Sequence, residues 1–379
     1  VTLAILELLE QNESLDASAI DQFIEKNGSP IVEGPTITFL FRGRADDVRL
    51  RHFVFGLPSS QSFRRIAGTD LWYLSMEAPR GSRIEYKLEV ESRGMTRLVR
   101  DPLNTKTAND PYGANSVCYA TGYHVPDWTK RDPEAREGEI QEITVPAPSL
   151  GGERAVSVYL PARMRATRRY PLMICFDGLD YLRFAKMKTV LDNLIHSYEI
   201  SPMIVAFTQS PDRMKEYAAD PQHATFVVED LLPHLEQRYP ARGRPHDRGL
   251  MGASLGAVAS FHAAWLHPGV FGNLLLQSGS FAFTDIGKSS RSPVLDGVVA
   301  FVNEFRADPG NPVEQIFVSC GAFESLIYEN RSLVPLLQRT DMDVKFVEAK
   351  DGHNWENWRD RLRDGLSWLF PGPIGLVYE

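Results

Sequence analysis

Cysteine is scarce in this chain: Cys118, Cys175 and Cys320 are the only three in 379 residues. An odd, low count with no paired spacing argues against a disulfide framework and against a thiolate metal site. Cys175 and Cys320 each lie in an apolar run, which suits buried free thiols and a reducing cytoplasm. No run of 18 apolar residues occurs, so a membrane-spanning helix is not expected. The first residues hold no basic segment followed by an apolar stretch, so no signal peptide is visible. Positive charge is also short, with 41 Lys and Arg against 49 Asp and Glu and a net charge of −8. That disfavours a nucleic-acid partner, yet a local basic patch could still hold an anionic small molecule. Neither a Gly-rich phosphate loop nor a His–Cys–Asp cluster with metal-ligand spacing appears.

What is present divides in two. The length exceeds the common range for one domain, and two domains are expected: 1–125 and 140–379, with a polar linker at 126–139. Residues 3–10 and Ala17–Lys26 have apolar positions at helical spacing and form a short helical preface. From about residue 30 the texture is one of short runs rich in β-branched and aromatic residues, such as ITFLFRG, LWYLSMEAP and RIEYKLEVES. Gly, Pro and Asp punctuate them, which predicts an antiparallel β-sandwich. From about residue 140 the rhythm is strand, helix, strand. PLMICFDG, PMIVAFTQ and GNLLLQSGS are nearly continuous in apolar residues, as strands buried on both faces are. Helices are expected over Ala185–Tyr198 and Ala224–Arg238. This alternation predicts an α/β domain with a mostly parallel sheet and helices on both faces.

The sharpest chemical signal is Gly252-Ala253-Ser254-Leu255-Gly256. A Gly-x-Ser-x-Gly pentapeptide between a strand and an Ala-rich helix presents a serine hydroxyl on a strained turn. Both glycines are expected to be needed for close backbone approach. Ser254 is the candidate nucleophile, and a serine needs a base. His353, in Asp351-Gly352-His353-Asn354-Trp355, follows the strand VKFVEAK and precedes the last helix. It is the candidate base; His262 and His267 lie in or at the end of the helix after Ser254 and suit packing or surface roles. The orienting acid should fall between serine and histidine in the chain. Glu324, just after the strand QIFVSCG, is favoured over Asp351 and Asp285. An oxyanion hole needs two preorganised N–H groups. Leu255 should supply one, and Gly178 or Leu179, after the FDG turn, the other. Arg213, Lys215, Glu216 and Tyr217 form a polar cluster beyond a strand end, of which Arg213, Lys215 and Tyr217 are candidate substrate contacts, with a solvated loop as the alternative. Trp355 is a further candidate substrate contact, and Trp355 and Trp358 suit an aromatic wall or helix packing. This chemistry requires neither a metal nor an organic cofactor.

These stretches together resemble the enterochelin esterase (ferric enterobactin esterase) family and its esterase relatives. RIAGTDLWYLSMEAP and DPLNT carry the likeness in the first half. FDG, RMKEY, FVVEDLLPHLEQRY, GASLGAVASFHAAWLHPGVFG and DGHNWENWRDRLRDGL carry it in the second. The resemblance implies a β-sandwich-like domain helping to cover an α/β-hydrolase active site. It places serine, histidine and acid on Ser254, His353 and Glu324. It implies hydrolysis of ester bonds in a catecholate siderophore, releasing iron in the cytoplasm. Ala257 departs from the family, which often has glycine there. Arg183, Arg213 and Lys215 are candidates for holding an anionic catecholate complex. Two other readings stand beside this one: an esterase of feruloyl or acetyl carbohydrate esters, and a non-catalytic binding protein on a hydrolase scaffold.

Overall fold

The structure, a computed structural model, describes residues 3–11, 15–283 and 292–373. The chain forms two compact units. The first comprises Val1–Val125 together with Gly321–Glu324 and Ala349–Asn354; the second holds the remainder.

The first unit begins with helices Ala4–Gln11 and Ala17–Asn27. Asp16 caps the second by accepting from the Ala19 N–H, and Gly28, at φ 70°, ends it by donating to Ile24 O. Ten strands follow: β1 (Ile31–Glu33), β2 (Thr36–Arg42), β3 (Asp47–His52), β4 (Ser60–Ser62), β5 (Arg64–Arg65), β6 (Leu71–Glu77), β7 (Arg83–Ser92), β8 (Met95–Val99), β9 (Thr107–Asp110) and β10 (Gly113–Tyr119). They make two antiparallel sheets, β1-β2-β6-β5 and β4-β3-β7-β10-β9, with β8 on β7. Side chains alternate faces along a strand, and β2 shows the result. Ile37, Phe39 and Phe41 enter one core with Val48, Leu50, Tyr86 and Leu88 of the other sheet. Leu40, between them, faces away and packs with Ile5, Leu8, Ile20 and Phe23 of the helices. The sandwich and its helical preface are therefore joined through opposite faces of one strand.

The second unit is built on an eight-stranded sheet: β11 (Glu139–Ala147), β12 (Gly152–Leu160), β13 (Leu172–Cys175), β14 (Ile204–Thr208), β15 (Arg248–Ala253), β16 (Asn273–Gln277), β17 (Gln315–Gly321) and β18 (Asp343–Ala349); the terminal residues Gly321 of β17 and Ala349 of β18 count with the first unit. The order is β11-β12-β14-β13-β15-β16-β17-β18. β11, β12 and β14 pair antiparallel, and β14 through β17 are parallel. Helices cover both faces, which explains the continuous apolar runs. Ile174 and Phe176 enter one core, while Met173 and Cys175 enter the other. This is an α/β-hydrolase-like arrangement. All three cysteines are buried.

Two features differ from the sequence expectation. β11 was not expected; its apolar residues Ile143, Val145 and Ala147 alternate with exposed ones, a half-buried edge pattern that a search for continuous runs misses. The helix expected over Ala224–Arg238 is interrupted by a π-helical stretch, Phe226–Leu231, between Pro221–Thr225 and Leu232–Arg238. Pro233 has no N–H to continue an α-helical ladder, and wider i→i+5 bonding bridges the segment ahead of it. Residues 126–139 are also anchored: Asn193 Nδ2 donates to Trp128 O and Lys130 O, and the Gly138 N–H to Asp192 Oδ1.

Candidate active site

β15 ends at Ala253, the helix Leu255–Leu266 begins two residues later, and Ser254 makes the turn alone. Its backbone sits at φ 58° and ψ −120°, a region an L-residue occupies at a cost of roughly 1–3 kcal/mol. The surroundings hold it there. The Ser254 N–H donates to Gln277 O on β16 at 2.9 Å, and its carbonyl accepts from Ala257, Val258 and Ser280 N–H groups. Gly252 is sterically required: a Cβ there would lie 2.4 Å from the Gly256 carbonyl carbon. Gly256 is less constrained than the sequence reading expected, because its Cβ would meet nothing nearer than Asp177 Oδ2 at 3.4 Å. Ser254 Oγ lies 3.2 Å from Ser280 Oγ. Leu255 is the first helical residue, so its N–H is one of those a helix cannot satisfy internally.

The turn after β13 is built with similar care. Asp177 stands at φ 52° and leads into the short helix Gly178–Arg183. Gly178 must be glycine, since a Cβ would come within 2.4 Å of Phe207 Cβ. Gly178 and Leu179 open the helix and so carry N–H groups without intrahelical acceptors. Asp177 fixes their position. Its N–H donates to Tyr217 Oη, and its carboxylate receives Arg213 Nε at 2.9 Å and Nη2 at 2.8 Å. Arg213 Nη2 also donates to Ala253 O, the residue before Ser254, at 3.3 Å. Burial pushes the Asp177 carboxyl above the usual carboxylate range, and the Arg213 guanidinium opposes that shift. One arginine thus ties the FDG turn to the serine turn.

In the first unit, Glu324 and His353 come together. Glu324 is buried; its Oε1 accepts the Gly321 N–H at 2.7 Å, and its Oε2 lies 2.5 Å from His353 Nδ1. A carboxylate partner requires the proton on Nδ1, which leaves Nε2 as a proton acceptor. The rival Asp351 spends its carboxylate on Arg83, the Gly352 N–H and Asn354 Nδ2. Burial pushes its carboxyl up to about 6, against the pull of Arg83. Asp285 lies outside the described residues. His262 is buried against Phe301, and burial pulls its imidazole down to about 4, as suits a neutral packing residue.

The remaining candidates divide. Tyr217 is fully buried and supports the Asp177 backbone. Trp355 packs edge-on against Tyr181 and Trp358, and the Trp358 indole N–H donates to Ser278 Oγ. Lys215 and Arg183 are exposed cations on the segments after β14 and β13. Sequence reasoning missed Asp177 as a structural carboxylate, Ser280 as a neighbour of Ser254, and Arg83. Asp177 carried a signal, because a carboxylate ahead of an expected oxyanion glycine needs a cation, and Arg213 was already a candidate.

A serine on a strand–turn–helix elbow, above a mixed sheet wrapped by helices, defines a protein of the α/β-hydrolase class. The profile of the family described as Putative esterase matches residues 147–369, and the chain belongs to that family. Membership carries hydrolysis of carboxylic esters as the general activity. The chain is 24% identical to the iron(III) enterobactin esterase of Escherichia coli strain K12 over 332 residues, covering 81% of each protein. It is 24% identical to the uncharacterized protein YjcH of Bacillus subtilis strain 168 over 238 residues, 61% of this chain and 97% of that one. Among solved structures, the ferric enterobactin esterase of Salmonella typhimurium superposes with a TM-score of 0.73 at 20% identity, covering 88% of this chain and 93% of that one. Among the described residues, no helix is long and apolar enough to cross a membrane.

Proposed function

We propose that the chain is a serine esterase acting through an acyl-enzyme on Ser254. The observation that carries this reading is the strained turn at Ser254, held at φ 58° by bonds from both neighbouring segments. Strain of this kind persists only where the fold over-determines it, and here it sets a half-buried hydroxyl beside the first turn of a helix, whose N–H groups have no intrahelical acceptors. In this mechanism His353 Nε2 takes the Ser254 proton as Oγ attacks the ester carbonyl. Glu324 holds the imidazole in the tautomer that can accept and stabilises the imidazolium that forms. The N–H groups of Leu255 and of Gly178 or Leu179 stabilise the oxyanion. His353 returns the proton to the departing alcohol, and water clears the acyl group by the same route.

For the substrate we propose a catecholate siderophore ester, hydrolysed in the cytoplasm. Relatives whose names specify iron(III) enterobactin as substrate support this over most of the chain. The exposed Lys215 and Arg183 supply positive charge for an anionic complex; Arg213 is engaged by Asp177. Two measurements test the proposal. Ser254→Ala should lower turnover of p-nitrophenyl acetate by about 10⁴-fold or more; unchanged turnover would exclude the serine mechanism. Rates on enterobactin with and without iron, set against feruloyl and acetyl sugar esters, test the substrate. Preference for the sugar esters would overturn the siderophore assignment.

A further inference from the structure

Arg83, the first residue of β7, is completely buried. A buried guanidinium is costly, and an apolar residue of similar volume is often at least as stabilising. What an arginine adds is direction, through donors in a rigid fork. This fork grips the loop around His353. Arg83 Nη1 donates to Asn354 Oδ1 at 2.9 Å and to the Asp351 carboxylate at 3.3 and 3.4 Å. Nη2 pairs with Glu85 at 2.8 Å, and the Arg83 N–H donates to Lys350 O at 3.0 Å. The contacts fall on both sides of His353 in the chain.

The acid segment is registered to the same loop. The Phe323 N–H donates to Asp351 O, and the Ala322 N–H to Ala349 O. Asp351 then accepts from the Gly352 N–H and from Asn354 Nδ2. His353 itself has a side chain 38% exposed, so its direction follows the loop that carries it. We propose that Arg83, a residue of the β-sandwich, is a positioning residue that holds His353 in line with Glu324. The consequence for catalysis rests on the reading of His353 as general base. On this view the sandwich is part of the catalytic apparatus, and its contribution is the aim of the base.

The test uses the full-length chain. Arg83→Met should lower kcat on p-nitrophenyl acetate by about 10²-fold, the effect of a displacement near 1 Å, with KM changed less than about threefold. Arg83→Lys keeps the charge but loses the fork, and should retain an intermediate rate. Proton NMR reads the positioning directly. A far-downfield Nδ1–H resonance, assigned by its loss in His353→Gln, should be present in the native chain and in Ser254→Ala, and be lost or broadened in Arg83→Met. A resonance and kcat both unchanged in Arg83→Met would overturn the proposal, as would a KM increase at constant kcat or a lowered Tm with resonance and kcat intact. Should Arg83→Met fail to fold, Asp351→Asn replaces it, with the same resonance expected to broaden and an intact one overturning the proposal. The resonance does not depend on turnover. If it responds as expected while Ser254→Ala stays active, the esterase reading fails and the positioning role stands.

Discussion

Replacing Arg213 by Met separates the scaffold chemistry of the serine turn from its reactivity. The side chain fits in volume but leaves the Asp177 carboxylate without its cation. Asp177 is only 2% exposed, and stripping the partner from a buried pair costs about 3–5 kcal/mol. Arg213 keeps a third of its side chain in water, so solvent screens its half of the pair and the low end applies, about 3 kcal/mol at pH 8. The pH dependence has a definite sign. The Asp177 carboxyl is already raised by burial, so the folded state holds its proton more tightly than the unfolded chain does. Protonation therefore stabilises the fold, and that gain fades as pH rises from the ordinary aspartate value through the raised folded one. Without Arg213 the folded value climbs further. The loss should be greatest at pH 8 and smaller at pH 5. Urea unfolding followed by tryptophan fluorescence measures this, because Trp128, Trp265, Trp355, Trp358 and Trp368 all lie in the second unit. Adding Asp177→Asn to Arg213→Met removes the stranded charge and should recover about half of the loss. A loss below about 1 kcal/mol at pH 8, equal losses at both pH values, or a double variant no more stable than the single one would refute the reasoning.

Glu324→Gln keeps the shape of the acid and removes the charge that favours the His353 imidazolium; kcat on a nitrophenyl ester should fall by about 10³–10⁴-fold, and a fall under tenfold would assign the acid elsewhere. Gly252→Ala drives a methyl against the Gly256 backbone, so labelling of Ser254 by a fluorophosphonate should slow at least about tenfold, with roughly 1–3 kcal/mol lost from stability. Gly256→Ala, which has room for its methyl, should label within about threefold of the native rate; equal damage from both would contradict the asymmetry between the two glycines.

The serine turn was legible because its requirements are local. Strand, tight turn and helix lie within some twenty consecutive residues, and each leaves a compositional mark there. Chain order then narrowed the candidates for base and acid to a histidine and a carboxylate beyond later strands, and Glu324 and His353 do bond to each other. The two-layer organisation was legible for the same reason, since alternating and continuous apolar runs differ by eye. β11 escaped notice because an edge strand with one buried face looks like polar linker. Arg83 could not be read at all. It is one of many arginines, and its partner Asp351 is 268 positions away, a pairing that no local pattern encodes. Tyr217 looked like a contact for substrate because tyrosine after a strand end suits that role equally well; only burial separates the two.

The composition of the first unit bears on how the chain is made. Residues 1–125 leave the ribosome before the second unit does, but their unit includes residues 321–324 and 349–354. At about 5–20 residues per second, synthesis reaches Asn354 roughly 10–50 s after Val125. For that interval the nascent sandwich holds Arg83 with Glu85 beside it but without Asp351 or Asn354, so the guanidinium has only one of its two carboxylates. The first unit begins folding early and finishes late, and its completion coincides with the arrival of the loop that carries His353.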